Sequence, residues 1–331
     1  MELGVATFAD LAAGVSPRQR MRDLIEEAEL ADQLGLDVFA VGEHHRADFL
    51  ISSPATALAA IAARTERIRL SSAVTVLSSE DPIRVFQSFA HVDLISGGRA
   101  EVMAGRGSFT ESFPLFGLSL DDYDELYATK LQRLLEIRED PAGQGVFPIP
   151  VQDPLPVWVA VGGTPQSVAR AGLLGLPLTI AIIGGSLDRF QPLVGLYREA
   201  FERGGHDPAR ARIAYNGHLW VGDAERDFAP SYLAMMNRIG RERGWPPSGI
   251  PQFRAMAGPG GAVHAGEPEV VAEKILLGHE LFGNDRYVGQ MSVGAVKHAD
   301  VMRSMERFGT EVAPLVRDEV ARRTAAPAAT A

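Results

Sequence analysis

Strand-like runs rich in Val, Ile and Leu alternate with helical stretches from one end of the chain to the other, and this alternation restricts the fold more than any other feature. The runs are Leu3 to Phe8, Asp37 to Val41, Ile68 to Val76, Ala100 to Ala104, Val157 to Val161, Leu178 to Ile182, Ile213 to Val221 and Asp285 to Met291. Helices are expected to start near Pro17, Pro54, Pro82, Asp121, Pro165, Ser186, Ala224 and Pro268, several with proline at the first helical position and Ser or Asp before it. Equal numbers of strands and helices predict a closed (β/α)8 TIM barrel, with an open doubly wound sheet as the alternative.

The 331 residues suit one such barrel with insertions after strands 4 and 7. We expect a single domain over 1–323 and a low-complexity tail over 324–331. Three stretches break the rhythm: Ser108 to Ser119, Asp140 to Pro154, and Gly240 to Gly266. The last holds Gly244, Gly249, Gly258, Gly260 and Gly261 with Pro246, Pro247, Pro251 and Pro259, a composition expected to sustain neither helix nor strand. Its Trp245, Ile250, Phe253 and Met256 suggest a lid.

Composition narrows the function classes. A formal charge of −10 without a basic run argues against nucleic acid and anionic membranes as partners. The absence of cysteine excludes disulfides, thiolate zinc sites and a cysteine nucleophile. The opening Met1-Glu2-Leu3-Gly4-Val5-Ala6 resembles a first strand more than a signal peptide, so a cytoplasmic location is expected.

In a barrel of this kind chemistry gathers after the carboxyl ends of the strands. After the second strand stands Gly42-Glu43-His44-His45-Arg46, where a histidine can exchange protons near neutral pH, its tautomer fixed by Glu43 or a backbone carbonyl. The same pair could equally be packed structural histidines. No His-x-His or His-x-x-x-His spacing supports a metal site or a metal hydrolase. After the fourth strand, Gly105-Arg106-Gly107-Ser108 sets an arginine between glycines, which suits a phosphate or a plain tight turn. After the fifth, Gly162-Gly163-Thr164-Pro165-Gln166-Ser167 opens a helix, and amides at that end favour an anion unless this is an ordinary capped helix. The third run is small in its middle, so a flat ring could lie against Ser72, Ala73 and Val74.

These pieces, in this order, resemble the bacterial luciferase-like flavin monooxygenases. Glu43-His44-His45 is similar to the family's Glu-His-His. Asp81-Pro82-Ile83-Arg84, Asp93-Leu94-Ile95-Ser96-Gly97-Gly98-Arg99 and Gly105-Arg106-Gly107 resemble its His-Pro-x-Arg, Asp-x-x-Ser-x-Gly-Arg and Arg-Gly series. Pro156 to Ala160 resembles the strand before its phosphate loop. The resemblance implies an FMN-dependent monooxygenase in which reduced FMN and oxygen oxidise a small apolar organic substrate. It implies NAD(P)H as electron donor, directly or through a partner flavin reductase. His44 would be the acid/base, and Ser72, Ala73 and Val74 would underlie the ring, with a non-proline cis peptide at Ala73-Val74. Arg106, Ser108 and the Gly162, Gly163, Thr164, Gln166 and Ser167 loop would hold the phosphate. It further implies a homodimer pairing through the alanine-rich helix from Pro54 to Thr65 and the helix after it. A deazaflavin-dependent dehydrogenase of the same superfamily and a non-catalytic flavin-binding protein are the alternatives. Where the family's phosphate loop carries Glu-Ser this chain has Gly162-Gly163, which shifts the expected contacts toward backbone amides.

Overall fold

The computed structural model describes residues 1–12, 14–107 and 109–325. Ten parallel strands form one sheet: β1 (Glu2–Thr7), β2 (Val38–Val41), β3 (Arg69–Ser72), β4 (Thr75–Val76), β5 (Ala100–Gly105), β6 (Val157–Val161), β7 (Leu178–Ile182), β8 (Ile213–Val221), β9 (Val263–Gly266) and β10 (Arg286–Ser292). The order β10-β1-β2-β3-β5-β6-β7-β8 closes on itself because β10 also pairs with β8, with Val288 opposite Asn216 and Gln290 opposite His218. All eight expected strands are present, and the closed barrel displaces the open-sheet alternative.

The third run is divided. β3 ends at Ser72, the Ala73-Val74 peptide is cis as the resemblance implies, and β4 resumes the path beside β5. Where direct pairing lapses, Ser72 Oγ donates to Met103 O (3.2 Å) and accepts from Met103 N (2.9 Å).

The helices begin where their caps dictate. Ser16 accepts from Gln19 N (3.1 Å) ahead of Pro17–Gln33, and Asp81 from Arg84 N (2.9 Å) ahead of Pro82–Ser96. The second helix stops at Gly97, whose φ of 68° is the left-handed cap that glycine adopts without penalty. Just beyond it, Arg99 donates to the carbonyls of Ala62, Thr65, Ile68 and Ser96, while Asp93 accepts from Ala100 N and Gln152 N. The Asp93-to-Arg99 motif is thus a clasp joining two helices to the start of β5.

Four expectations need correction. Gly240 to Gly266 is not structureless: it contains the end of Ala229–Arg243, the helix Ile250–Ala257 and β9, which pairs in parallel with the last residues of β8. Pro251 sits at the start of the helix, where its missing N–H costs nothing, and glycines bound the segment instead of interrupting it. Two helices, His298–Arg307 and Ala313–Ala325, follow β10 and were not anticipated. The second reaches into the expected tail; 326–331 lie outside the described residues. The alanine-rich helix ends at Ala62, three residues short of the expected Thr65, and Ala55, Ala57, Leu58, Ile61 and Ala62 on it are buried within the subunit. No described helix is long and apolar enough to cross a membrane.

At the amino ends of the strands the lumen is plugged by charge. Arg286 is 1% exposed and pairs with Glu101 Oε2 (2.6 Å) and Glu2 Oε2 (2.6 Å), while Arg69 closes on Glu101 from β3. The Arg286 guanidinium also lies 4.5 Å from the Trp158 ring centre. Burial raises the Glu101 carboxyl, but Arg286 and Arg69 outweigh it and hold it below the usual range. A depressed folded-state pKa contributes stability above the unfolded value that is lost as pH falls through the folded one. Glu101→Ala should destabilise the fold by about 3–5 kcal/mol, because it leaves two arginines without a buried partner. Urea unfolding at neutral pH checks this, and an unchanged midpoint would show the plug to be dispensable.

Candidate functional site

Small residues crown the plug: Ala73, Gly105, Ala160, Gly162 and Ala181 line a cavity of about 380 Å³ at the carboxyl ends of the strands. At Gly105 any side chain is excluded, since a Cβ would lie 2.5 Å from Val74 Cγ2. His44, Arg106, Thr164 and Ser167 line the same space as Ala73 and Val74. Of the residues expected at the site, Ser72, Gly163 and Gln166 are not on this wall. Ser72 spends its hydroxyl on Met103, and Gln166 faces out from an exposed helix start. Ser108 lies outside the described residues.

His44 is buried among rings, with centroids 4.7 Å from Phe8, 4.4 Å from Phe49 and 4.9 Å from Phe109. Its Nδ1 stands 3.6 Å from Glu111 Oε1. Burial raises the Glu111 carboxyl, while His44 and the N–H groups of Glu111 and His45 outweigh this and lower it. The expected orienting role of Glu43 does not hold. Glu43 accepts from Val76 N (2.9 Å) and pairs with His45 Nε2 (3.0 Å), tying β2 to β4. Adjacent side chains point to opposite faces, so the carboxylate next to His44 in sequence serves its neighbour.

Arg106 lies 4.9 Å over the Tyr123 ring and pairs with Asp124 at the start of the helix Tyr123–Glu139. Across the cavity rim, Gly163 takes φ 117° and leads into Pro165–Leu173. The Thr164 hydroxyl does not cap this helix as expected. Arg106 and this helix start therefore converge on the β5–β6 side, where an anion would meet a guanidinium and a helix dipole.

The entrance is covered by the helix Ala229–Arg243 and the turn after it, through Met235, Met236, Ile239 and Trp245. Arg46 holds Glu242 with two bonds of 2.9 and 2.6 Å, and Arg238 pairs with Asp48. Two guanidinium groups lie over the Phe109 ring, that of Arg46 4.8 Å and that of Arg243 4.9 Å from its centre. Of the apolar residues expected to form a lid, only Trp245 lines the cavity; Ile250, Phe253 and Met256 do not, and the cover comes mainly from the helix before that segment.

Sequence reasoning missed Asp10, Glu111, Asn216, His218 and Gln290, all but Glu111 on the cavity wall. Asn216 and His218 were findable as two polar residues spaced by two in an apolar strand. Glu111 carries no such signal, being an acidic residue in a loop. Asp10 bridges strand ends, accepting from Gly294 N (2.8 Å) and Ser292 Oγ (3.2 Å). Burial pushes its carboxyl up to about 7, against the lowering effects of the Gly294 N–H, Arg20 and Ser292.

A family model described as luciferase-like monooxygenase matches residues 1–285, and the chain belongs to that family. It is 27% identical over 229 residues to the oxygenase component of a flavin-dependent trigonelline monooxygenase from Acinetobacter baylyi, covering 63% of this chain and 62% of that one. The chain spans 59%, 40% and 62% of the length of three curated relatives it matches, less than two thirds in each case. Among solved structures it shares the fold of the monooxygenase RslO1 from Streptomyces bottropensis, with a TM-score of 0.82 and 24% identity over 95% of this chain and 99% of that one. The oxygenating constituent of 3,6-diketocamphane monooxygenase from Pseudomonas putida, in complex with FMN, gives a TM-score of 0.76 and 20% identity over 96% and 98%. An F420-dependent secondary alcohol dehydrogenase gives 0.71 and 18% over 96% and 100%.

A carboxyl whose folded pKa is raised contributes stability below its unfolded value that is lost as pH rises through the folded one. For Asp10 that window runs from the ordinary 3.8 to about 7. Between pH 5 and 8 the melting temperature of the wild type should therefore fall more steeply than that of Asp10→Asn. Parallel pH profiles for the two proteins would remove Asp10 as a titrating group.

Proposed function

We propose that this chain is the oxygenase of a flavin-dependent monooxygenase system in which reduced FMN and oxygen oxidise a small apolar organic substrate. NAD(P)H is the electron source, reaching the flavin through a partner reductase or directly. The observation that carries this reading is that Arg106, Gly162, Thr164 and Ser167 and the Ala73-Val74 wall line one cavity with His44.

The residues fit such a cofactor. Arg106 and the amides at the start of Pro165–Leu173 suit its phosphate, and the small side chains from β3 to β6 leave room for a flat ring. When bound in reduced form, FMN supplies the two electrons that split oxygen between substrate and water. The chain supplies the surroundings. Glu111 beside Nδ1 of His44 orients the imidazole and leaves Nε2 as the atom that exchanges a proton. Phe8, Phe49 and Phe109 keep water from that nitrogen, and Met235, Met236, Ile239 and Trp245 offer an apolar surface to the substrate.

Arg106→Ala should weaken FMN binding by about 1.5–3 kcal/mol, and His44→Ala should leave it intact while slowing reoxidation of bound reduced FMN by roughly 100-fold. Fluorescence titration and stopped-flow absorbance measure the two effects. Parallel titration with a deazaflavin tests the dehydrogenase reading, which prevails if that cofactor binds and FMN does not.

We further propose a homodimer through the outer face of Pro82–Ser96 and its neighbour Pro54–Ala62. Leu94 and Ile95 are 46% and 53% exposed there, and Gln87 holds the strap carrying exposed Phe147 through Phe147 O (2.9 Å). Light scattering at micromolar concentration should give twice the chain mass; the mass of one chain overturns the pairing.

A further inference from the structure

The wall of the cavity opposite the cofactor side is polar, although the lid above it is apolar. In the barrel order, β8 lies four strands from β3 and β10 four strands from β5. These two strands face the platform and the arginine across the lumen. They carry Asn216, His218 and Gln290, all lining the cavity, with Gln290 and His218 in register.

Two atoms of this trio are buried without a hydrogen-bond partner among the described residues: Asn216 Oδ1 and His218 Nδ1. Buried polar groups are costly to leave unmet, and both belong to residues that line the cavity, where small shifts of the side chains toward a ligand would satisfy them. Among the described residues Gln290 commits only Nε2, donating to Ser292 O (3.3 Å). The trio carries no formal charge. Burial pushes His218 down to about 4, so its imidazole is neutral at neutral pH. The Tyr232 ring stands edge-on 5.2 Å from it, on the helix that also carries Met235, Met236 and Ile239. On the neighbouring β1 side, the Asp10 carboxyl is turned to Ser292 and Gly294.

We propose that Asn216, His218 and Gln290 form the specificity site of this cavity, reading a neutral hydroxyl group on an otherwise apolar substrate. A hydroxyl both donates and accepts, matching a neutral imidazole and two side-chain amides that each offer a donor and an acceptor. Among the described residues, β8 and β10 offer a carboxylate, sulfonate or phosphate no cation where they line the cavity, and Arg243 on the cover is engaged with the Phe109 ring; an ether could not satisfy the acceptors. The apolar body would lie under Met235, Met236, Ile239 and Trp245. This inference rests on the proposed flavin placement, which assigns the β3–β6 side to the cofactor and leaves the β8–β10 side for substrate.

Three probes of equal ring size test it on the FMN-loaded protein: naphthol, methoxynaphthalene and naphthoate, titrated by calorimetry against wild type, Asn216→Ala and His218→Phe. Naphthol should bind wild type about tenfold more tightly than methoxynaphthalene, with naphthoate weakest. Either variant should reduce the naphthol preference to less than threefold while leaving methoxynaphthalene affinity within twofold of wild type. Equal affinity for naphthol and methoxynaphthalene, tightest binding of naphthoate, a preference unaltered in a folded variant, or no binding of any probe overturns the proposal. FMN titration, with the probe titrations repeated on FMN-free protein, separates the two readings. Protein that binds FMN but shows no hydroxyl preference fails the specificity site alone, and protein that shows the preference without binding FMN fails the cofactor reading alone.

Discussion

The pairing of β10 with both β1 and β8 is the constraint on which the rest of the molecule depends. It joins the last barrel strand to the first, so a chain whose ends are far apart in sequence encloses one lumen. Closure removes the sheet edges and fixes which residues of every strand look inward. It also brings Arg286 from β10 to Glu2 from β1 and Glu101 from β5, so a charge cluster fills the amino end of the lumen. With that end stopped by large charged groups and Trp158, the small residues higher on the strands leave open space only toward the carboxyl end.

From that geometry the site acquires two dissimilar halves. The β2–β6 side carries the arginine, the helix start, the cis-linked platform and His44. The β8–β10 side carries neutral polar groups below an apolar cover. His44 sits where the halves meet, held by aromatic rings and by a carboxylate from a loop 66 residues downstream of His45. A site divided in this way suits chemistry in which one ligand is kept and another exchanged.

Much of this was legible in the chain because barrel strands repeat a simple pattern. Val, Ile and Leu runs and N-terminal prolines locate strands and helix starts, and the small centre of the third run marked Ala73 and Val74. What was not legible depends on which side chains meet in space. Glu43 adjoins His44 in sequence yet serves His45, while Glu111 approaches from another loop. Ser72 lay in the right strand but on the atom that bridges β3 and β5. The glycines and prolines of 240–266 signalled a loop, yet they sit at helix and strand boundaries where they are compatible with order. Lys274 helps fix this arrangement, its ammonium donating to the carbonyls of Met256, Ala257, Gly258 and Val263, a convergence that sequence spacing does not reveal.

The cover over the cavity is fastened in two physically different ways. Arg46 with Glu242 and Arg238 with Asp48 are partly exposed ion pairs, and attraction of that kind fades as mobile ions crowd between the charges. Phe109 is held against the guanidinium groups of Arg46 and Arg243 by short-range contact and ring polarisation, which added electrolyte weakens far less. The entrance thus answers to two separate features of its medium. Ionic strength loosens one fastening, and a molecule that displaces the ring loosens the other.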